Sequence, residues 1–465
     1  MGSILIFFHR FRWAACQLET LRKCLSIKKV REVLGNLPKT LDETYERILL
    51  SADEDYQDII AEALRWLCFS KETLTIAQLA EAAVFSATVE PPSEEAPLEI
   101  SFDKDAFFQD PLDILGLLSG LVVCLPVANT DDSDEWDDTD DSEGLGYNDE
   151  TDKLDSVVDS GDMEYQAPEP LAKICVKSKI LLSHFSVKEY LTSGRLRSQV
   201  CRYSMDEGRA HEVIATNCIY FILCFGQSME DFEAGCSIDF TDLAQSRSFY
   251  DCACYHWDSH AREVDYESKL TDLIVLILKA ELRPRRFFLE KAKFEDWESP
   301  DIPPLYLAAA MALYWPCKKL AQSGVDGNGQ RGFWGTALHA ASSCDNENII
   351  RLLLDYGANI NLEAGRFGTA LHVAIHCIHE KIIRFLLHYG ADVVSEVGYY
   401  DTSLTRAMEL GNLEIAIMLL EHGAVMSKFG GGIEAGEVLA RKDFGKFVAI
   451  QVEVLLQKER EKART

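Results

Sequence analysis

Apolar residues recur at helical spacing in three early segments of the chain. In the segment 56–70, "YQDIIAEALRWLCFS", they fall three and four positions apart, which is typical of an amphipathic helix. The preceding segment, "LPKTLDETYERILL", has Thr40 followed three residues later by Glu43, the spacing of a capping box. The segment 74–85 opens with Thr75, another residue suited to a helix start. The pattern therefore predicts three consecutive helices.

Short apolar runs follow these helices. "DPLDILGLLSGLVVCLPV" predicts a buried helix followed by a strand, and "AKICVKSKILLSHFS" predicts further strand. Ser186, with Glu189 three residues later, predicts a capped closing helix, in which Val187 and Tyr190 share one apolar face. Three helices, then strands, then a closing helix is the outline of a winged-helix domain, which we predict over residues 36–195.

The turn before this closing helix also concentrates reactive side chains. His184, Ser186 and Tyr190 lie within seven positions, with a lysine and a glutamate between them. Catalysis by a serine and a histidine requires a base, a nucleophile and an orienting group in fixed geometry, and no motif supplies the missing member. We therefore interpret the stretch as a strand-to-helix turn and predict no catalytic residue.

Two anchor residues repeat with a period of 33 in the C-terminal part of the chain. The repeated positions are Leu305, Leu338, Leu371 and Leu404, and Gly324, Gly357, Gly390 and Gly423. Thr336 and Thr369 stand where a helix N-cap belongs, and the glycines stand where a left-handed C-cap belongs. The period and the T-A-L-H-x-A signature resemble the ankyrin repeat. We predict about four repeats over residues 302–434, stacked because one unit alone cannot bury its apolar face.

Aromatic residues occupy one column of this repeat, just before the first helix of each unit. The column holds Trp334, Phe367 and Tyr400, and Phe333 and Tyr399 are their neighbours. The ankyrin resemblance makes these loops exposed fingers beside a concave face, where aromatic side chains would contact a protein partner. The alternative is that the rings stack on one another and only stiffen the fingers. We predict a protein-binding site on the fingers and concave face, and both interpretations stay open.

Histidines and cysteines suggest two metal sites, but neither has suitable spacing. His339 and His372 follow the leucine of each signature, where a structural hydrogen bond between neighbouring turns is the simpler interpretation. In "CACYHWDSH" the two cysteines face apart on a helix, and only His256 and His260 share a face. We therefore predict no metal and no cofactor.

One acidic segment carries about half of the charge of the chain. The formal net charge is −30, and residues 131–169 contain seventeen Asp or Glu against one Lys. We predict a disordered insertion over residues 130–170, because low hydrophobicity and high charge oppose folding. A docking site for a basic partner, or for phosphorylation, is the alternative. The acidic balance also argues against nucleic-acid binding, which relies on a basic surface.

Cysteine usage and the apolar runs predict a cytoplasmic protein without membrane contact. The 14 cysteines are scattered without a repeating spacing, as is typical of reduced intracellular thiols. The most apolar run, residues 114–128, is too short to span a membrane. The apolar run near the N-terminus is too short for the core of a signal peptide.

Several segments resemble the C-terminal portion of fungal NACHT–ankyrin proteins, which are NLR-like signalling NTPases of the STAND type. "LGNLPKTLDETYERIL", "ALRWLCFSKETLTIAQLAEAAVF" and "HFSVKEYL" are similar to their winged helix, "FRWAACQLETLRKC" to the last NACHT helix, and "FYDCACYHWDSHA" to a linker helix. The resemblance implies a NACHT remnant over 1–35, a helical linker over 196–301, and a capping helix and tail over 435–465. The expected fold class is mainly α, with a winged-helix domain, a helical linker and a C-terminal ankyrin-repeat solenoid.

The nucleotide chemistry of that family is not expected in this chain. A P-loop requires G-x-x-x-x-G-K-[ST], and the nearest approach, Gly432 to Glu437, has the wrong spacing and a carboxylate in place of the lysine. We predict a non-enzymatic protein–protein interaction protein: an ankyrin scaffold, or the sensor fragment of an NLR-like receptor truncated upstream. The alternative is an ancillary part of a nucleotide-dependent signalling switch. The partner, the pathway and the oligomeric state do not follow from the pattern.

Overall fold

The fold is taken from a computed structural model. It describes residues 26–92, 100–125, 174–233, 247–279, 302–395 and 402–424, together with the single residues 13, 14, 17 and 22. The predicted acidic insertion, the predicted C-terminal capping helix and most of the predicted NACHT remnant lie outside the described residues. Within them, the expectation of a mainly helical fold is confirmed.

In the first part of the chain, the described residues form six α-helices and one pair of strands. In chain order these are α1 (Ile27–Gly35), α2 (Leu41–Leu50), α3 (Gln57–Phe69), α4 (Ile76–Thr88), α5 (Asp113–Leu117), β1 (Val122–Leu125), β2 (Lys179–Leu182) and α6 (Phe185–Thr192). The three predicted early helices are α2, α3 and α4. Helices α3 and α4 pack against each other through buried apolar residues such as Leu64 and Leu79, neither of which is exposed to solvent.

Side-chain caps begin helices α2 and α4, where the sequence predicts them. Thr75 and Gln78 form the full reciprocal capping box at α4. At α2 the Thr40 hydroxyl accepts from the Glu43 amide at 3.1 Å, as predicted, but the Glu43 carboxylate accepts from the amide of Lys39 rather than from that of Thr40. The box at α2 is therefore displaced by one residue, although both amides are satisfied.

The two strands are antiparallel and lie side by side. Val122 is opposite Leu182 and Val123 is opposite Leu181, so that successive pairs face opposite sides of the sheet. Ile180 on the inner side is buried, whereas Val123 and Leu181 are 43% and 37% exposed. The pair therefore covers the helices with one face and presents an apolar outer face.

The helix after β2 begins differently from the prediction. His184, not Ser186, is the N-cap of α6, and its Nδ1 atom accepts from the Ser186 amide at 3.2 Å. An imidazole can replace a hydroxyl because its unprotonated ring nitrogen is an acceptor. The predicted buried stripe is confirmed, since Val187 and Tyr190 are each at most 2% exposed.

Three helices are described in the middle of the chain, between residues 207 and 279. They are α7 (Glu207–Glu233), α8 (Arg247–Arg262) and α9 (Lys269–Lys279). Helix α8 packs along α7 and also against α4. The Phe249 ring of α8 lies edge-on to Trp66 of α3 at 5.1 Å, and the buried Glu81 carboxylate of α4 accepts from the Phe249 amide at 3.2 Å. These contacts attach the middle helices to the first part of the chain.

Four helix pairs form the C-terminal part of the described fold. They are α10 (Pro304–Ala310) with α11 (Tyr314–Gln322), α12 (Ala337–Ser343) with α13 (Glu347–Asp355), α14 (Ala370–His376) with α15 (Glu380–His388), and α16 (Ser403–Glu409) with α17 (Leu413–Glu421). The first helices of successive pairs stack on one another, and α9 packs against the first pair. All four repeated glycines have positive φ, between 78° and 96°, as predicted for left-handed C-caps.

Candidate interaction surface

The candidate site lies on two neighbouring loops, which we call fingers. Finger 1 covers residues 327–335 and finger 2 covers residues 360–368, each immediately before the first helix of a pair. Finger 2 is closed by the Ala364 amide, which donates to the Gly368 carbonyl at 2.7 Å. Finger 1 is closed in the same way by Arg331 and Gly335 at 2.9 Å. The two loops are therefore small, closed turns.

The fingers touch through their backbones, which requires glycine. Gly335 has a φ of 114°, and a Cβ atom there would lie 2.6 Å from the backbone carbon of Ala364. Gly332 has a φ of 91°, and a Cβ atom there would meet the Tyr306 ring. The Tyr306 hydroxyl in turn accepts from the Trp334 amide at 3.2 Å. Finger 1 is thus fixed both to finger 2 and to helix α10.

Buried histidines at the helix starts hold neighbouring repeats together. His339 Nε2 donates to the Gly368 carbonyl at 2.9 Å, and its Nδ1 accepts from the Thr336 hydroxyl at 2.6 Å. His372 is placed in the same way, with Thr369 at 2.8 Å and Ser403 of the next pair at 3.3 Å. The predicted structural role is confirmed, and the two threonine hydroxyls bond these rings rather than the helix amides expected of them.

Burial keeps both histidines neutral. Loss of hydration lowers the pKa of His339 and of His372 to about 4 in each case. A neutral imidazole offers one donor and one acceptor, and both are used within the stack. Neither ring is left to bind a metal.

Four rings form a continuous group, which we call the aromatic cluster: Phe333, Trp334, Phe367 and His376. Trp334 stacks on Phe367 with ring centres 5.2 Å apart, and Phe367 lies 4.4 Å from His376. Phe333 lies edge-on to Trp334 at 5.0 Å and to Phe367 at 5.7 Å. The cluster joins both fingers to the end of helix α14.

The structure separates the predicted binding residues into two groups. Phe333 and Trp334 are half-buried, so each residue keeps part of its surface exposed to solvent. Phe367 is only 4% exposed, and the expectation that it is an exposed finger residue is wrong because Trp334 and His376 cover it. Tyr399 and Tyr400 lie outside the described residues. The observed stacking therefore fits the stiffening role for Phe367, whereas contact with a partner stays a prediction for the other four residues.

Two arginines, Arg406 and Arg366, lie near His376 of the aromatic cluster. The Arg406 guanidinium donates to His376 Nδ1 at 2.8 Å. Burial, followed by the charges of Arg406 and Arg366, lowers the pKa of His376. Because Nδ1 accepts a hydrogen bond, the neutral ring carries its proton on Nε2.

The sequence pattern missed His376 and Arg406, although it contains a signal for both. The position of His376 is Ser343 one repeat earlier, and the position of Arg406 is Val373 one repeat earlier and Ala340 two repeats earlier. Both residues depart from small or apolar predecessors on the first helices. Comparison of equivalent positions in successive repeats would therefore have marked them as departures from the repeat pattern.

Among the residues that the structure describes, polar groups elsewhere do not form a second site of recognisable chemistry. Ser186 Oγ lies 2.6 Å from His184 Nδ1 and 2.8 Å from the Tyr45 hydroxyl, but Ser186 is buried at 3% exposure. A nucleophile needs access to its substrate, so this chain of hydrogen bonds is structural. No group of three or more potential metal ligands occurs among the described residues.

The segment with the Cys-x-Cys spacing lies in helix α8, and its two histidines contact other side chains of the fold. His260 Nδ1 lies 2.8 Å from His211 Nδ1 of helix α7, and both rings are buried. His256 instead contacts the Glu72 carboxylate at 3.1 Å. The two histidines that share a face of α8 therefore have separate partners.

Comparison with known proteins supports the identity of the repeats. A family model for ankyrin repeats matches three copies over residues 305–397. The three helix pairs within this range, α10 to α15, are therefore ankyrin repeats, and the fourth pair, outside the match, continues the same stack. The expected relationship of the remaining chain to NACHT proteins is not established by this match.

A longer but more distant match extends beyond the repeats. The chain is 26% identical over 347 residues to a protein of the fungus Monascus ruber, the azaphilone pigments biosynthesis cluster protein L. The match covers 70% of this chain and 61% of the relative, so the chain spans less than two thirds of the relative's length. In the part of the chain that the structure describes, no helix is long and apolar enough to cross a membrane.

Proposed function

We propose that this chain is a non-enzymatic protein–protein interaction protein that binds a partner through finger 1 and the adjacent concave face of its ankyrin repeats. The observation that carries the proposal is the position of Phe333 and Trp334. Both rings are half-buried on a loop fixed by Tyr306 and by the backbone of finger 2. Rigid aromatic side chains lose little entropy on binding, which makes them frequent energetic centres of interfaces.

The repeat stack supplies the rigidity that this role requires. Bonds from His339 and His372 connect the second unit to the third and the third unit to the fourth. Asn328 and Asn361 add a second row of links by accepting from the Asn359 and Asp392 amides at 2.8 Å. Binding sites are more effective when the supporting groups are ordered before the partner arrives. These hydrogen bonds order the two fingers before a partner binds.

We further propose that the first part of the chain is a winged-helix domain of an NLR-like protein. The order of α2, α3 and α4, then the pair β1–β2, then α6, supports this assignment. The described cysteines are all free thiols, which suits the reducing cytoplasm where we place the protein. The fragmentary match to the Monascus ruber protein leaves both assignments as proposals.

A second candidate function is an ancillary part of a nucleotide-dependent switch. It is favoured by the apolar outer face of the strand pair, where Val123, Leu125, Leu181 and Phe185 are 37–49% exposed. An apolar surface of this kind suits packing against another module.

Quantitative affinity purification tests the first proposal. The double variant Phe333→Ala/Trp334→Ala is compared with the wild type and with Tyr356→Ala/Tyr389→Ala, which removes two exposed aromatic residues just after the C-terminal ends of helices α13 and α15. Truncating an aromatic interface centre typically costs about 2 kcal/mol, or roughly 30-fold in affinity. A partner retained by the control and lost by the finger variant supports the proposal. Identical partners for all three proteins contradict it.

A calorimetric titration with ATP separates the two candidates. The wild-type chain is expected to give no binding heat if it is an interaction protein alone. Micromolar binding would favour the switch, because a nucleotide site would then exist in this chain. The finger variant serves as the control, since it leaves the first part of the chain unchanged.

A further inference from the structure

We propose that the outer edge of strand β1 binds an extended segment of a partner protein as a third strand of the sheet, and that this segment carries Lys or Arg beside alternating apolar residues. We call this edge, formed by the outward backbone groups of Val122 and Cys124, the open edge. It belongs to the first part of the chain and includes no finger residue. The inference therefore goes beyond the proposed binding function.

The register of the two strands shows which backbone groups of β1 point away from β2. The Ser183 amide donates to the Leu121 carbonyl at 2.8 Å, so Leu121 directs its carbonyl toward the β2 side. Backbone direction alternates along an antiparallel strand. The amides and carbonyls of Val122 and Cys124, one and three positions further on, therefore point to the opposite side.

The corresponding edge of β2 is already occupied. There the Ile180 amide donates to the Leu74 carbonyl, and the Ile76 amide donates to the Ser178 carbonyl, both at 3.0 Å. Within the described residues, β1 has no such partner on its outer side. Its outward amides and carbonyls can therefore form backbone hydrogen bonds with an added strand.

The side chains beside the open edge are apolar and partly exposed. Val123 and Leu125 are 43% and 49% exposed, and Leu181 of β2 is 37% exposed. Natural sheets often protect an exposed edge with charged residues or Pro, and β1 contains neither. An added strand would place alternate side chains beside Val123 and Leu125. Alternating apolar residues in the partner segment fit this surface.

Charge selects a basic partner. The formal net charge is −30, and the acidic residues 131–169 begin six positions after Leu125. Lys179, opposite Leu125, donates to the Thr73 carbonyl, next to the segment that occupies the other edge of β2. Like charges oppose the approach of a second copy of this chain, whereas Lys or Arg beside the added strand is attracted. The occupant that fits is therefore a basic segment of another protein.

Selection from a random dodecapeptide phage library tests the inference without a known partner. The full wild-type chain is the target, and peptides that the finger variant Phe333→Ala/Trp334→Ala also retains are carried forward. We expect enrichment of peptides with alternating apolar residues and flanking Lys or Arg.

A backbone substitution tests the open edge directly. Cys124→Pro removes one outward amide that the pairing with β2 does not use, and Pro is tolerated at sheet edges. Cys124→Ala keeps the amide and is the matched control. Circular dichroism and the melting temperature of each variant confirm that it is folded. A synthetic peptide of the enriched sequence should bind Cys124→Pro at least about tenfold more weakly than Cys124→Ala.

Two measurements on the wild-type chain do not depend on a variant. Peptide binding should slow amide hydrogen exchange at Val122 and Cys124 at least about tenfold, whereas the Val123 amide is already bonded to β2 in the free chain. Peptides with N-methyl groups at alternate residues can be made in two phases. The phase that blocks the amides facing β1 should bind at least about tenfold more weakly than the other phase.

The outcomes distinguish this inference from the proposed function. Enrichment of acidic or neutral peptides, no enrichment, equal binding to Cys124→Pro and Cys124→Ala, or equal binding of the two methylated peptides would overturn the inference. Protection of Val122 and Cys124 that rises with chain concentration alone would also overturn it, because the occupant would then be a second copy. None of these results affects finger 1, whose failure is shown by unchanged cellular partners of the finger variant.

Discussion

The imidazole of His339 reaches across the boundary between two repeats and donates from Nε2 to the carbonyl oxygen of Gly368 at 2.9 Å. The ring has no exposed surface, and its other nitrogen is bonded to the Thr336 hydroxyl. One side chain thereby connects the start of its own helix with the end of finger 2. The position of the finger is thus coupled to the folding of the repeat before it.

Replacement of this histidine should destabilise the stack strongly. In His339→Ala the Gly368 carbonyl and the Thr336 hydroxyl lose their partner, and a cavity forms, for which we expect a loss of about 2–4 kcal/mol. Urea unfolding measures this loss of stability, with one m-value (the dependence of the unfolding free energy on urea concentration) fitted to all the proteins. His388→Ala, at an exposed position on an outer helix, is the control and should change stability by less than about 0.5 kcal/mol. Equal effects of the two replacements would contradict the structural role.

Glycine replacements should distinguish close backbone contact from simple strain. Gly335 and Gly357 both have positive φ, at 114° and 87°, but only at Gly335 would a Cβ atom meet another backbone, that of Ala364. Gly357→Ala carries the strain of a left-handed residue, about 1–2 kcal/mol. Gly335→Ala should cost more than this and should also change the tryptophan fluorescence, because Trp334 adjoins the clash. A smaller loss for Gly335→Ala than for Gly357→Ala would show that the fingers are not in contact.

The helices and their ends could be predicted because they depend on local pattern. The spacing of apolar residues, Thr75 before α4 and the glycines after each second helix act within one or two turns of chain. The N-cap of α6 was misassigned to Ser186 because an imidazole acceptor is outside the usual set of capping side chains, although His184 fills the same role.

The candidate site was less predictable because its contacts join different repeats. Phe367 occupies the same position in its repeat as Trp334. Phe367 is nevertheless buried, because Trp334 and His376 cover its ring, whereas Trp334 is half-buried. The bond from Arg406 to His376 spans 30 residues and depends on how the first helices stack. The 33-residue period shows which residues occupy equivalent positions in successive repeats. It does not show which side chains bury the others.

Stability should fall below neutral pH because of the histidine pair between helices α7 and α8. Burial, then the neighbouring His211, lowers the pKa of His260 to about 3 from an ordinary value of 6.5. The unfolded chain therefore binds a proton between these values that the folded chain does not. Above about pH 6.5, protonation of this site does not affect the free energy of unfolding. As the pH falls from there toward 3, protonation of the unfolded chain lowers the free energy of unfolding progressively.

The size of this effect can be isolated with a double variant. His211→Phe/His260→Phe keeps the rings but removes both titrating groups, so acid-sensitive carboxylates elsewhere act equally on the two proteins. The stability of the wild type relative to this variant should drop by about 3 kcal/mol between pH 7 and pH 4.5. Denaturant unfolding at several pH values measures it, and a constant difference across this range would be inconsistent with neutral buried histidines.

The link between helix α4 and helix α8 should depend on the oxygen of Glu81 rather than on its charge. The carboxylate is 7% exposed and accepts from the Phe249 amide near the start of α8, where helix amides lack partners within the helix. Glu81→Leu removes the acceptor and should cost about 1–3 kcal/mol, since a buried amide loses its bond. Glu81→Gln keeps an acceptor oxygen and should retain most of the stability. Hydrogen exchange of the Phe249 amide provides a local measurement, with faster exchange in Glu81→Leu than in Glu81→Gln. Equal exchange in both variants would mean that the carboxylate does not hold the start of α8.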